Sequence, residues 1–118
     1  MQVNTPMSDA LNRYLDLASD QMKMTAGNMA NVDTPGYKTQ GFDFEREFLS
    51  QLNGQSAPGA LTTAGDVDGL VSRPDGNNVS MDREALQLAK TQLQFRTAVE
   101  LLKHQYSTVM AAIHAETK

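Results

Sequence analysis

The last third of the chain carries an uninterrupted helical repeat, and this repeat constrains the fold more than any other feature. Residues from Met81 to Ile113 recur in alternating steps of four and three, the spacing of a helix face packed against another helix. The face consists of Met81, Ala85, Leu88, Gln92, Phe95, Val99, Leu102, Tyr106, Val109 and Ile113. No Pro or Gly follows Asp82, so the pattern predicts one continuous helix that needs a partner.

A segment near the N-terminus has the same period. Thr5 followed by Pro6 is typical of an N-cap and a first helical residue, and Asp9 complements the positive end of the helix. Pro35 disfavours helix in the residue before it, so the helix should end near Asn31. Its apolar side is Met7, Leu11, Leu15, Ala18, Met22, Thr25 and Met29.

Two helices of equal period in one short chain predict an all-α fold. We expect residues 5–31 and 80–116 to pair as an antiparallel coiled-coil hairpin, with Ser80 capping the second helix. The longer helix should overhang the shorter one by roughly two turns. Residues 32–79 would then form a turn, an extended arm and a flexible, irregular or weakly β insert.

The insert contains several turn signals. Thr34 to Tyr37 has the chemistry of a type II turn, with Pro second and Gly third. Residues 42–48 suit a short helix and an extended arm equally. Gly and Pro punctuate residues 50–80, which predicts a loop or a small hairpin. The Arg73 to Gly76 turn favours weak pairing of residues 67–72 with 78–81.

Composition excludes several classes of function. The net charge is −4, from 10 basic and 14 acidic residues without a Lys/Arg cluster, which argues against nucleic acid or an anionic membrane as partner. There is no cysteine and therefore no thiol chemistry. The first 11 residues lack the basic and apolar regions of a cleaved signal peptide, and no apolar run is long enough to insert into a membrane.

Candidate chemical sites are weak. Asp66, Asp68 and Asp75 have part of the spacing of a calcium loop, but Ala64 stands at the first ligand position. Three carboxylates, Asp43, Glu45 and Glu47, would share one edge of a strand, and His104 and His114 are too far apart for a shared metal. We therefore expect no catalytic, metal or cofactor site and no enzymatic activity.

The energetics indicate assembly with other chains. A hairpin with one seam rarely keeps more than ~3 to 5 kcal/mol of stability without oligomerisation. The Met-rich first helix suits core filling or a peptide-binding face, and Leu86, Leu93 and Leu101 widen the second stripe. We expect the helix-packing and subunit-interface residues to be Leu11, Leu15, Ala18, Met22, Met29, Leu88, Phe95, Val99, Leu102, Tyr106, Val109 and Ile113.

A run at the end of the first helix resembles the signature of the bacterial flagellar basal-body rod protein family. Its characteristic residues are Asn28, Ala30, Asn31, Thr34, Pro35, Gly36, Tyr37 and Lys38. The segment 41–44 and the ending 101–113 resemble the proximal-rod members more than the other members. Residues 50–75 lie outside the resemblance.

The resemblance implies a structural subunit that assembles with other rod subunits into a helical tube and transmits torque. It implies contacts with basal-body ring and adaptor proteins, export by the flagellar type III apparatus without a cleaved signal, and a place in the periplasmic rod. Another axial subunit of the family and a soluble helical interaction module are the alternatives.

Overall fold

The first helix, α1, spans Pro6–Ala30. A computed structural model describes residues 5–54 and 64–116 of the chain. At the start of α1, the Ser8 amide donates to the Thr5 hydroxyl over 3.1 Å, and the Thr5 amide donates to the Ser8 hydroxyl over 2.8 Å. This reciprocal capping satisfies two amides that have no partner within the helix. At the other end the Asn31 amide donates to Gly27 O, so both predicted ends are confirmed.

The long helix α3 spans Met81–Glu116 and runs antiparallel to α1. Its start is capped as predicted, with the Arg83 amide donating to the Ser80 hydroxyl. Near that end Asn28 meets Glu84, and at the opposite end the Gln105 amide nitrogen donates to Thr5 Oγ1 over 3.2 Å. Two such contacts, at opposite ends, confirm the all-α hairpin. Beyond Gln105, α3 continues to Glu116, about three turns at ~3.6 residues each, one more than expected.

The contact between the helices is narrower and more polar than the sequence pattern predicts. Buried positions on α1 are Ser8, Leu17, Ala18, Gln21, Thr25 and Asn28, and those on α3 are Glu84, Thr91 and Ala98. The prediction of the packed face of α3 is wrong at Met81, Ala85 and Gln92, which are exposed. The large apolar residues lie beside the contact line because small and polar side chains occupy its centre and let the backbones approach.

A third helix, α2, spans Phe44–Leu52 and settles the open choice for residues 42–48 in favour of a helix. Asp43 caps it by accepting from the Arg46 amide. The ring of Tyr14 on α1 meets Phe44 at 4.8 Å and Phe48 at 5.3 Å between centroids, both edge to face. These aromatic contacts dock α2 on the outer side of α1.

The insert contains a two-residue antiparallel pairing of β1, Gln40–Gly41, with β2, Gly65–Asp66. The predicted turn at Arg73 to Gly76 is present, with the Gly76 amide donating to Arg73 O. The predicted pairing of residues 67–72 with 78–81 is wrong, because Asn78 and its neighbours bond to residues 37–39 instead. The apex of the predicted loop, residues 55–63, lies outside the described residues.

Each helix that the structure describes is too short or too polar to cross a membrane.

Candidate functional site

The side chain of Asn28 is the centre of a hydrogen-bonded junction at the end of α1. It is 1% exposed and uses all of its bonding groups. Its nitrogen donates to Gln40 O over 2.8 Å and to Glu84 Oε2 over 3.2 Å. Its oxygen accepts from the Tyr37 hydroxyl over 3.1 Å and from the Gln40 amide over 2.9 Å. One amide thus joins α1, β1 and α3.

The turn after α1 is built from the next residues of the same run. Asn31 donates from its side chain to Gly27 O over 2.8 Å, and the Thr34 hydroxyl donates to Asn31 Oδ1 over 3.0 Å. The Tyr37 amide donates to Thr34 O, and Gly36 has φ 75°, which confirms the predicted turn. The Gly36 amide then donates to Asp75 O, so the turn also holds the distant segment that leads into α3.

Asn77 holds that segment from the other side. Its side chain is fully buried, and its nitrogen donates to Asn31 O and Thr34 O, both over 2.8 Å. Its oxygen accepts from the Val79 amide, also over 2.8 Å. A buried amide that satisfies three backbone groups fixes the path of the chain on both sides, because each group would be costly to leave unbonded.

Further bonds close the junction. The Lys38 ammonium donates to Gly76 O over 2.6 Å, and the Thr39 amide donates to Asn78 Oδ1 over 2.7 Å. The Arg73 guanidinium donates to Val79 O and to Val32 O. We call residues 28–39, residues 73–80 and Glu84 together the motif junction. It replaces the mobile loop that the sequence suggests for residues 73–80.

The structure brings most of the motif residues together, with two exceptions. Asn28, Asn31, Thr34, Gly36, Tyr37 and Lys38 all bond within the junction. Ala30 and Pro35 are exposed and contribute helix propensity and turn geometry instead. Sequence reasoning missed Arg73, Asn77, Asn78 and Glu84, since their partners lie some 40 to 56 residues away along the chain.

The predicted helix-packing residues occupy the edges of the hairpin contact. Ala18 is buried, whereas the remaining eleven are partly buried. They are Leu11, Leu15, Met22, Met29, Leu88, Phe95, Val99, Leu102, Tyr106, Val109 and Ile113. Their packing against other subunits stays a prediction.

The candidate metal ligands have other uses where the structure describes their bonds. Asp66 accepts from the Gln40 side chain over 2.7 Å, and Asp75 accepts from the Asn77 amide over 3.0 Å. Asp43 caps α2, and Glu45 and Glu47 lie in the first turn of that helix. No cluster of three metal-ligating side chains occurs within residues 5–54 and 64–116.

Comparison with known proteins finds a match to the segment that contains the first part of the motif junction. A family model described as "Flagella basal body rod protein" matches residues 15–38, which include the motif from Asn28 to Lys38. The chain is 29% identical to the flagellar basal body rod protein FlgB of Salmonella typhimurium over 116 residues, covering 81% of this chain and 84% of that protein.

The chain is also similar to the FlgB proteins of other bacteria. Identity is 28% with that of Escherichia coli, over 86% of this chain and 88% of the relative. With the FlgB protein of Aeromonas hydrophila the identity is 25%, over 98% of this chain and 99% of the relative. Over most of its length the chain is similar to flagellar basal body rod proteins of the FlgB type. The three alignments cover between 81% and 98% of this chain and between 84% and 99% of the relatives.

An apolar groove follows the outer side of the α1–α3 hairpin. It has a volume of about 610 Å³ and lies between α1, α2 and α3. Leu52, Leu93 and Leu101 line it, and these three side chains are 45%, 66% and 53% exposed. Single exposed leucines are ordinary in a soluble protein, but a continuous apolar groove is typical of a surface that another molecule covers.

Tyr14 lines part of this groove, and its phenol titrates differently in the folded and unfolded chains. Burial raises the pKa of its phenol above the ordinary value of 10.0. The folded protein therefore holds the phenolic proton more tightly than the unfolded chain does. This contribution to stability is complete at pH values below the pKa that Tyr14 has in the unfolded chain. It is lost as the pH rises through the higher pKa that Tyr14 has in the folded protein.

We expect the unfolding midpoint of the native chain to fall more steeply above pH ~10 than that of Tyr14→Phe, which keeps the ring but has no ionisable group. Urea unfolding over a series of alkaline pH values measures the difference. The two proteins should have similar midpoints at neutral pH. Parallel profiles above pH ~10 would show that Tyr14 is as well hydrated in the folded state as in the unfolded one.

Proposed function

We propose that this chain is a FlgB-type structural subunit of the proximal rod of the bacterial flagellum, which assembles with other rod subunits and transmits torque. The observation that carries the proposal is the motif junction. Two residues that carry the family resemblance, Asn28 and Tyr37, have their side chains in this junction, where Asn28 joins α1, the insert and α3. Their geometry has a mechanical rather than a chemical use, since it fixes the angle at which the insert leaves the hairpin.

The junction suits a load-bearing part. The hydrogen bonds of Asn28 and Asn77 are short, buried and directed to different segments, so a force on the insert is passed to both helices. Buried polar networks in which each member is bonded are rigid and specify one geometry. A subunit that transmits torque needs such a fixed geometry between its parts.

The apolar groove supports the assembly part of the proposal. Leu93 and Leu101 line this groove beside the α1–α3 contact, and each side chain is more than half exposed. The final turns of α3 extend beyond α1, with Met110 48% exposed. We propose that neighbouring rod subunits cover these surfaces in a multi-subunit helical tube, and that the helical core of residues 5–31 and 80–116 provides them.

The proposal extends to location and partners. The chain would occupy the periplasmic rod of the basal body, reach it through the flagellar type III export apparatus without a cleaved signal, and touch ring or adaptor proteins at the base of the rod. The support is the similarity to FlgB proteins over most of the chain. A hairpin whose central contact is small and polar also unfolds readily, which suits passage through a narrow export channel.

Deletion of the gene in its host tests the function. We expect flagellar assembly to stop at the basal body, so that cells have no filaments and do not spread in soft agar. Reintroduction of the native gene should restore spreading and provides the control. Intact filaments and normal swimming in the deletion strain would contradict a role in the rod.

A further inference from the structure

Glu84 is the one charged side chain among the described residues that is fully buried. It lies in the first turn of α3 and is 0% exposed. One carboxylate oxygen accepts from the Asn28 side chain over 3.2 Å, and the other accepts from the Arg83 guanidinium over 2.5 Å. A buried carboxylate is stable only where such donors compensate its lost hydration.

The other residues on the face of α3 that contacts α1 favour one alignment of the two helices only slightly over another. Every seventh residue after Glu84 lies on the same face of α3, and these residues are Thr91, Ala98, Gln105 and Ala112. All four are small or uncharged. If α3 slid along α1 by seven residues, one uncharged side chain would replace another at each of these positions that Glu84 does not enter.

Such a shift would break the Gln105–Thr5 contact at the far end of the hairpin, but Glu84 is the one buried charge on this face that it would separate from its partner. In one direction Glu84 would pass the end of α1 at Ala30, leaving the Asn28 amide without its carboxylate. In the other direction it would lie near Gln21, away from the Asn28 donor. Single buried polar residues are known to fix the register of paired helices in this way.

We infer that the Glu84–Asn28 pair sets the register of the α1–α3 hairpin, with Glu84 as a positioning residue. The pair fixes which turns of α3 lie against α1 and therefore where the exposed leucines and the overhanging end are presented. The inference concerns the folded chain itself and stands independently of the proposed role in the rod.

Engineered disulfides at the far end of the hairpin test the inference, because the native chain has no cysteine. Thr5 and Gln105 are in contact, so Thr5→Cys with Gln105→Cys reports the native register. Thr5→Cys with Ala98→Cys, and Thr5→Cys with Ala112→Cys, report shifts of seven residues in either direction. Each pair is made in the full chain, oxidised, and scored by electrophoresis with and without reductant.

In the native background we expect the 5–105 pair to cross-link at least tenfold more than the other two pairs. With Glu84→Leu, which removes the charge and keeps the bulk, cross-linking should spread to the 5–98 or 5–112 pair. Glu100→Leu is the comparison variant, since it makes the same chemical change at an exposed position of α3 and should leave cross-linking confined to the 5–105 pair.

Three results would overturn the inference. Cross-linking that stays confined to the 5–105 pair in Glu84→Leu would show that other contacts set the register. The loss of all three cross-links would show that Glu84 holds the hairpin together without selecting its alignment. An equal shift in Glu100→Leu would show that the added leucine, and not the loss of the Glu84 carboxylate, changes the register.

Discussion

Replacing Asn77 with alanine should remove most of the stability of the folded chain. The substitution leaves the carbonyls of Asn31 and Thr34 and the amide of Val79 without their partner. A buried polar group that loses its hydrogen bond costs about 1 to 3 kcal/mol. Three such losses are comparable with the whole free energy of unfolding of a small scaffold, which is ~3 to 5 kcal/mol.

Urea unfolding followed by circular dichroism measures this effect. Asn12→Ala is the matched control, because Asn12 lies on the exposed side of α1 and the chemical change is the same. We expect Asn12→Ala to unfold within ~0.5 kcal/mol of the native chain. A midpoint for Asn77→Ala equal to that of the control would mean that water replaces the lost bonds and that the junction does not hold the insert.

Replacing Ala98 with glutamate should separate the two long helices. Ala98 is 3% exposed and lies where α1 and α3 pack together. A longer side chain costs about 1 to 3 kcal/mol in strain at such a position, and its charge would enter the apolar groove that Ala98 helps to line. We expect the hairpin to be lost and the host to become non-motile when this variant replaces the native gene.

Ala89→Glu makes the same chemical change on the exposed side of α3 and serves as the control. It should unfold like the native chain and support normal spreading in soft agar. Equal motility of Ala98→Glu and Ala89→Glu would contradict a close α1–α3 contact in the assembled protein, because only the first variant perturbs that contact.

Local chemistry in the sequence predicts the ends of the helices and the turn between them. Thr5 and Pro6 at the start of α1, and Pro35 with Gly36 after it, act through bonds and sterics that extend over only a few residues. The same holds for Ser80 at the start of α3. Such signals need no knowledge of the rest of the fold.

The face that each helix buries could be predicted only approximately. The apolar period locates the correct side of α3 at Leu88, Phe95 and Leu102, but the centre of the contact lies at Thr91 and Ala98. Large side chains are favoured by hydrophobicity, whereas close approach of two backbones selects small ones. The sequence pattern measures the first effect and not the second.

Only one side of the motif junction could be predicted from the sequence. The family resemblance identifies the residues from Asn28 to Lys38, but the residues that meet them are scattered in a stretch that looks like an ordinary loop. Asn77 and Asn78 have the composition of a turn, and Glu84 has that of a helix start. Their roles depend on partners contributed by the other end of the chain, which periodicity and local propensity do not report.

Imaging of basal bodies isolated from the host tests the central claim most directly. Electron cryomicroscopy of native particles should show, in the proximal rod, a long antiparallel helix pair joined at one end by the motif junction. Basal bodies from the deletion strain should lack the rod beyond that level. A complete rod in the deletion strain, with density unchanged from the native particle, would contradict the account.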